Sequence, residues 1–260
     1  MFEWHTPTKR CCPGGFSSYI LDKNAYAKGF GVSLPVGEGG HEFLLEEYHR
    51  SRFQLCFTNL TYFQLGPSII DDDDRLQSLP SQLKERTFDL ALLDGHQLRT
   101  QVAALPWDQE RLLISQLILA LQAVKEGGTI IMKLALPHKL VSAKILYLFR
   151  MLSLELRCWK PESMHINRGT FYAVARGIGK GLKGPRLPGV LLELKELWVS
   201  LTFGGEEGFG RPMTVKDLDF LIATDDLCWH HLDWLMKLGR PLWQVQKKAL
   251  EGFYRHKGLI

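Results

Sequence analysis

Cys11-Cys12-Pro13-Gly14-Gly15-Phe16 is followed at once by a helix-like run, Ser17 to Lys23, and then by an apolar, strand-like run, Ala27 to Leu34. A glycine pair between an extended segment and a helix lets the backbone turn tightly and leaves room for a ligand to lie against main-chain N–H groups. That is the geometry of a nucleotide pocket. Pro-Gly-Gly is also an ordinary reverse turn, so the motif takes its meaning from the rest of the chain.

Outward from it, helix-like and strand-like runs alternate. His41 to Arg50 reads as a short helix with Phe43, Leu44 and Tyr48 on its apolar side, and Arg52 to Thr58 as a strand ending at Asn59. Four acids, Asp71 to Asp74, precede a helix-like run from Leu76 to Arg86 that contains Pro80; such a run is a solvated loop more often than a cation site. Thr87 to Asp94 has the length of a buried strand, Trp107 to Lys125 has helical spacing with Gly127-Gly128 as its stop, and Thr129 to Leu134 is again strand-like. A helix from His138 to Met151 then leads to two close strands, Leu154 to Lys160 and Thr170 to Arg176, which must be antiparallel. This order predicts an α/β fold: a mostly parallel, Rossmann-like sheet with helices on both faces and one antiparallel edge hairpin.

The expected organisation is a main domain over residues 1–177, a Gly-, Pro- and Lys-rich linker over 178–189, and a mainly helical C-terminal extension over 190–260. In the extension, helices are expected at Val190 to Leu201, Val215 to Ala223, Leu227 to Leu238 and Pro241 to Tyr254. It holds four of the seven tryptophans, Trp198, Trp229, Trp234 and Trp243, as a segment packed on the main domain or on a partner would.

With 260 residues the chain can bury a full core, and 45% hydrophobic with 23% charged residues is ordinary for a globular protein. No apolar run has membrane-spanning length and Met1 to Arg10 lacks the core of a signal peptide, so the reading is a soluble, intracellular protein of the nucleus or cytoplasm. Five cysteines without a C-x-x-C pair indicate neither a disulfide framework nor structural zinc, and are expected to be reduced and mostly buried. A net charge of +4 permits a polyanionic partner without arguing for one.

In an open parallel sheet, ligands bind beyond the carboxyl ends of the strands. The Pro13-Gly14-Gly15 turn, Asn59, Asp94 and Lys133 all fall at such ends. Individually each has a plainer explanation as a turn residue or a solvent-reaching lysine. Together, and with Gly31-Val32-Ser33-Leu34-Pro35, Phe88-Asp89-Leu90-Ala91-Leu92-Leu93-Asp94-Gly95, Gly127-Gly128-Thr129-Ile130-Ile131-Met132-Lys133 and Lys160-Pro161-Glu162-Ser163, they resemble the FtsJ-like ribose 2′-O-methyltransferases from about Arg10 to Gly177. The resemblance implies an S-adenosylmethionine pocket: Pro13, Gly14, Gly15 and Phe16 along the methionine end, Ser33 and Leu34 near the ribose and adenine, and Asn59 where the family usually has an acid touching the adenine. It also places Asp94 and Lys133 at two positions of the family's Lys-Asp-Lys-Glu catalytic set, with Lys133 holding the 2′-oxygen and Asp94 orienting the ammonium. The implied partner is RNA, a capped mRNA or an rRNA.

The departures weigh on activity. The family's first lysine lies upstream of the turn, and Lys9 is too near to replace it; the hairpin glutamate is Thr170 here, and His5 to Lys9 makes a poor first strand with Pro7 inside it. Either the chain is part of a longer enzyme, or it is a methyltransferase-fold protein that binds cofactor or RNA without catalysis. A nicotinamide-dependent oxidoreductase is disfavoured by the absence of G-x-G-x-x-G, and a hydrolase by the absence of a nucleophile elbow. Adjacent His230 and His231 on a helix point in different directions and do not make a metal site. The basic residues are scattered as on an ordinary solvated surface; Lys160 and Arg168, which flank the loop expected over the site, are the two to test as RNA contacts.

Overall fold

A computed structural model of the chain describes residues 14–70, 73–74, 76–96, 108–162 and 166–259. Pro13, the cysteine pair, Ser163, Asp71, Asp72 and the strand expected at His5 to Lys9 lie outside the described residues. Contacts divide the chain into two compact units, the first holding the described residues up to Gln64 and between Ile70 and Ser78, the second almost all the rest.

In the first unit, helix α1 (Gly15–Lys23) starts from Gly14, whose φ of 152° is a conformation open to glycine, and Ser18 N–H closes the first turn onto the Gly14 carbonyl at 2.6 Å. Strands β1 (Gly29–Ser33) and β2 (Phe53–Phe57) pair in parallel with Gly31 opposite Leu55. Between them helix α2 covers only Glu47–Arg50. The helix expected from His41 fails because Phe43 and Leu45 alternate inward, Phe43 against the Phe53 ring at 5.3 Å and Leu45 buried, while Leu44 and Tyr48 are exposed. That is a period of two. Buried His49 then joins the layers: its Nε2 meets Asp22 Oδ1 at 2.7 Å and its Nδ1 meets Arg52 Nη2 at 2.7 Å, so Nε2 donates and Nδ1 accepts.

In the second unit, Pro80 reduces the expected helix to α3 (Ser81–Lys84). Strand β3 (Phe88–Leu93), helix α4 (Asp108–Ala123), strand β4 (Val124–Ala135), helix α5 (Leu140–Leu152), strand β5 (Glu155–Trp159) and strand β6 (Thr170–Arg176) follow. The sheet order is β3-β4-β6-β5, with β3 and β4 parallel and β6 antiparallel to both neighbours. The hairpin thus puts its second strand inside the sheet and leaves β5 at the edge. Helix α4 buries Ile114, Leu117, Ile118 and Leu121 completely. Gly127-Gly128 does not stop it: β4 begins directly at Val124, and the pair lies in a bulged stretch, Gly127 at φ 80°, where the register against β3 shifts.

Residues 178–189 are pinned along their length. Gly179 and Gly181 N–H bond the Leu152 carbonyl, Ile178 and Leu187 are buried, and helix α6 (Leu187–Phe203) already begins inside the stretch. Where one helix is expected from Val215 to Ala223 there is a single 3₁₀ turn, Val215–Leu218, capped by Thr214 and Asp217. Helix α7 (Thr224–His230) precedes α8 (Leu232–His256), one helix that runs through Pro241 where two are expected. The buried pair Gly239 and Leu242 flanks the proline, so packing holds the helix together across the missing N–H.

Candidate active site

Parallel pairing sets Leu93 opposite Met132, which brings the next residues, Asp94 and Lys133, side by side at the carboxyl ends of β3 and β4. The Lys133 ammonium donates to Asp94 Oδ1 at 3.0 Å; the lysine side chain is 10% exposed and the aspartate 33%. A largely dry cation is therefore matched by a carboxylate that still meets water. Tyr172 stands directly opposite Lys133 on β6, and its hydroxyl donates to the same Asp94 oxygen at 3.3 Å. Trp159 on β5 is opposite Tyr172, the rings 6.5 Å apart, and remains about half exposed. One register row thus carries Asp94, Lys133, Tyr172 and Trp159 across four strands.

The turn after β3 is clamped from α4. Gln116 accepts from the Gly95 N–H at 2.9 Å and donates to the Gly95 carbonyl at 3.0 Å. His96 follows, exposed, with Nδ1 at 3.0 Å from the Asp94 carbonyl oxygen and 3.4 Å from Lys133 Nζ. At the far end of β4, Leu136 has φ 52°, a left-handed conformation that apolar side chains rarely adopt, and its N–H bonds the Gly169 carbonyl at 2.8 Å.

Lys160 is not a surface contact for RNA. It is buried, and its ammonium donates to the Arg168 carbonyl and, at 2.9 Å, to the Thr170 carbonyl, so it ties down the hairpin loop from inside. Desolvation pushes its pKa down. Lys144 is fully buried as well, against Asp219 and the Val215 carbonyl, whereas Arg168 is exposed as expected. Thr170 opens β6 opposite Ala135, at the position where a glutamate is expected. The described cysteines are half-buried at Cys56 and Cys158 and exposed at Cys228; burial pushes the Cys158 thiol up to about 12.

In the first unit, a side chain built on Gly15 would meet nothing within 4 Å, so space is open beside the start of α1. Phe16 is partly exposed in the first turn. Ser33 closes β1, its carbonyl accepting from Thr58 N–H at 2.9 Å and its hydroxyl 3.5 Å from the Leu34 carbonyl. Asn59 caps a 3₁₀ turn: its Oδ1 accepts from Thr61 N–H at 3.1 Å and from the Thr61 hydroxyl at 2.8 Å. Its oxygen is thereby committed to Thr61, and the amide N–H₂ is what it can offer a ligand.

Reading along the chain missed Tyr172, Trp159, His96 and Gln116. Tyr172 and Trp159 are ordinary strand residues in sequence, and only the register makes them neighbours of Lys133. His96, two residues beyond Asp94 in the motif's own turn, was within reach of sequence reasoning.

An α/β sheet whose parallel pair, β3 and β4, carries an aspartate and a lysine at its carboxyl end has the architecture of a Rossmann-like methyltransferase fold. The FtsJ-like methyltransferase family model matches residues 10–178, and the chain belongs to that family. It is similar to the cap-specific mRNA (nucleoside-2′-O-)-methyltransferase 1A of Caenorhabditis briggsae, 28% identical over 179 residues that make up 66% of this chain and 20% of that protein. It is similar to the inactive cap-specific mRNA (nucleoside-2′-O-)-methyltransferase 1B of the same organism, at 27% identity over 64% of this chain and 20% of that protein. The cap-specific mRNA (nucleoside-2′-O-)-methyltransferase 1 of Bos taurus is 28% identical over 65% of this chain and 21% of its own length. The chain spans about a fifth of the length of the curated relatives it matches.

Proposed function

We propose that this chain transfers a methyl group from S-adenosylmethionine to a ribose 2′-hydroxyl of RNA, with a nucleotide at the mRNA cap as the preferred target and an rRNA as the other. The observation that carries the reading is the Asp94–Lys133–Tyr172 cluster at the strand ends. The residues of the first unit fit the cofactor: room beside Gly15, the N–H groups of the first turn of α1 with Phe16 next to them, Ser33 and Leu34 at the end of β1 for ribose and adenine, and the Asn59 amide for the adenine edge. When bound, the cofactor supplies an electrophilic methyl on a sulfonium sulfur.

Lys133, itself largely shielded from water, then serves as hydrogen-bond donor to the ribose oxygen and stabilises negative charge as it develops there. Asp94 fixes the ammonium direction, and Tyr172 holds Asp94. Lining the hydroxyl up with the methyl is the remaining task, and positioning alone is worth several orders of magnitude in rate. An RNA substrate fits work in the nucleus or cytoplasm; among the described residues no helix is long and apolar enough to cross a membrane.

Thr170 in the glutamate's place, together with the similarity to a relative described as inactive, favours one second reading, a cofactor- or RNA-binding protein without transfer. Transfer of a radiolabelled methyl group to capped and uncapped RNA separates the two. Lys133→Ala is expected to abolish transfer while calorimetry finds S-adenosylmethionine affinity within about threefold of wild type. Cofactor binding without transfer to any RNA supports the second reading.

A further inference from the structure

Helix α8 lies beyond the residues that match the family, and contacts at both ends of α5 fix its course. Near its start, the Trp234 ring takes the Arg150 guanidinium of the last turn of α5 at 4.5 Å. Further on, Trp243 meets the His138 ring at 6.1 Å, just ahead of α5, and Gln246 donates to the Asn167 carbonyl at 3.4 Å in the loop between β5 and β6. Helix α5 descends from the carboxyl end of β4 to the amino end of β5. Helix α8 therefore climbs antiparallel to it and reaches the carboxyl ends of the strands at Trp243. From Trp243 to His256 it runs on for about 20 Å at 1.5 Å per residue. This half of the helix stands out past the end of the sheet that carries Asp94 and Lys133, and every residue from Gly252 to Leu259 is exposed.

Its surface suits a polyanion with flat rings. Helix α8 holds five lysines and arginines against two acids, a surplus of three in a chain whose net charge is +4. At 3.6 residues per turn, Trp243, Lys247, Leu250 and Tyr254 share one stripe, and a cavity of about 310 Å³ runs along it between Gln246 and Glu251. Arg240, Lys248 and Arg255 flank the stripe, all exposed. Glu251 is the acid on this face; it lies 3.7 Å from the Lys247 ammonium, an exposed pair that a phosphate can displace. Aromatic rings interleaved with cations along an open groove hold single-stranded nucleic acid, the rings stacking on bases and the cations following the phosphates. Continuity with the strand ends favours RNA over an acidic membrane surface, because Trp243 lies against His138, which follows β4.

We infer that the projecting half of α8 is an arm for the single-stranded RNA that flanks the target nucleotide, with bases on Trp243 and Tyr254 and phosphates on Lys247, Lys248 and Arg255; this rests on the reading of the chain as an RNA 2′-O-methyltransferase. Helix α8 packs against β5, and β5 is two strand spacings, about 10 Å, from Lys133 on β4. Trp159, half exposed at the carboxyl end of β5, lies on the way between them. The arm is thus too distant to touch the ribose being methylated. It acts on affinity, and only for strands long enough to span both places.

The test measures RNA binding by the full chain, which needs no turnover. Fluorescence anisotropy should find a single strand of roughly twelve nucleotides bound about tenfold or more tighter than a trinucleotide. Lys247→Gln with Lys248→Gln and Arg255→Gln should remove that gain and make the slope of log affinity against log salt shallower by about 2. Tyr254→Ala, at an exposed position, should weaken the longer strand on the order of tenfold. Lys125→Gln with Arg176→Gln and Lys180→Gln removes the same charge at the amino end of the sheet and should keep the gain. Equal loss in both triple variants, or none in the α8 variant, overturns the arm and leaves the methyltransferase reading standing. Binding to vesicles of acidic phospholipid without length-dependent binding of RNA overturns it in favour of a membrane surface. Absence of methyl transfer by wild type to any RNA overturns the methyltransferase reading, whereas a length gain that the α8 variant loses still supports the arm.

Discussion

Tyr172 reaches across Lys133 to Asp94, and a single hydroxyl joins strands that do not touch each other in the sheet. Its bond is long for a hydroxyl donor, so its worth lies near the low end for a buried bond to a carboxylate, about 1 kcal/mol. Tyr172→Phe is therefore expected to lower kcat about fivefold with no change in S-adenosylmethionine affinity, measured by steady-state kinetics and calorimetry. On the proposed function, Lys133→Ala should remove transfer altogether, because it deletes the group assigned as donor to the ribose oxygen. The contrast between partial and complete loss separates a residue that positions from one that contacts the reacting oxygen. At this scale the sequence was informative about where Asp94 and Lys133 stand, near the ends of their strands, and misleading about the exposure of Lys160. A lysine in a Lys-Pro loop looks solvent-facing until the Arg168 and Thr170 carbonyls are seen to enclose it.

Among the elements, the contact between α5 and the 3₁₀ turn Val215–Leu218 rests on Lys144, fully buried on the helix, whose ammonium bonds Asp219 and the Val215 carbonyl. A buried cation stripped of its carboxylate costs about 3–5 kcal/mol, whereas removing both charges is far milder. Asp219→Ala should accordingly be strongly destabilising, and Lys144→Met with Asp219→Ala should recover most of that loss in urea denaturation. Element boundaries were legible wherever an apolar run had one period throughout, as in β6 and α4. They failed where two signals competed: His41 to Glu46 has apolar residues for either period, and Pro241 announces a break that the buried face of α8 overrides.

For the molecule as a whole, acid sensitivity has an identifiable source. The fork of Arg211 on Asp217, with Thr214 N–H and hydroxyl bonds added, holds the Asp217 carboxyl down from 3.8 to about 2. A depressed carboxylate pKa stabilises the folded state above the unfolded value, and that stability is lost as pH falls from about 4 to 2. Asp217→Asn should remove about 2 kcal/mol at neutral pH and flatten the stability curve over that window, as followed by denaturant titrations at stepped pH. The segment concerned, Arg211 to Asp217, closes the loop after α6, so the loss is expected to loosen the C-terminal helices first.

The sequence by itself determined the type and order of the elements from β3 to β6 and the position of Asp94 and Lys133 near strand ends. These follow from local periodicity and turn chemistry, which a short window of residues contains. Only the tertiary structure decided that β6 enters the sheet between β4 and β5, that Tyr172 and His96 flank the lysine–aspartate pair, and that Lys144 and Lys160 are interior. His96 meets Lys133 across 37 residues, Lys144 meets Asp219 across 75 and Tyr172 meets Asp94 across 78, while Lys160 is enclosed by its own hairpin loop; which faces pack together decides these contacts, not any residue's immediate neighbours in the chain.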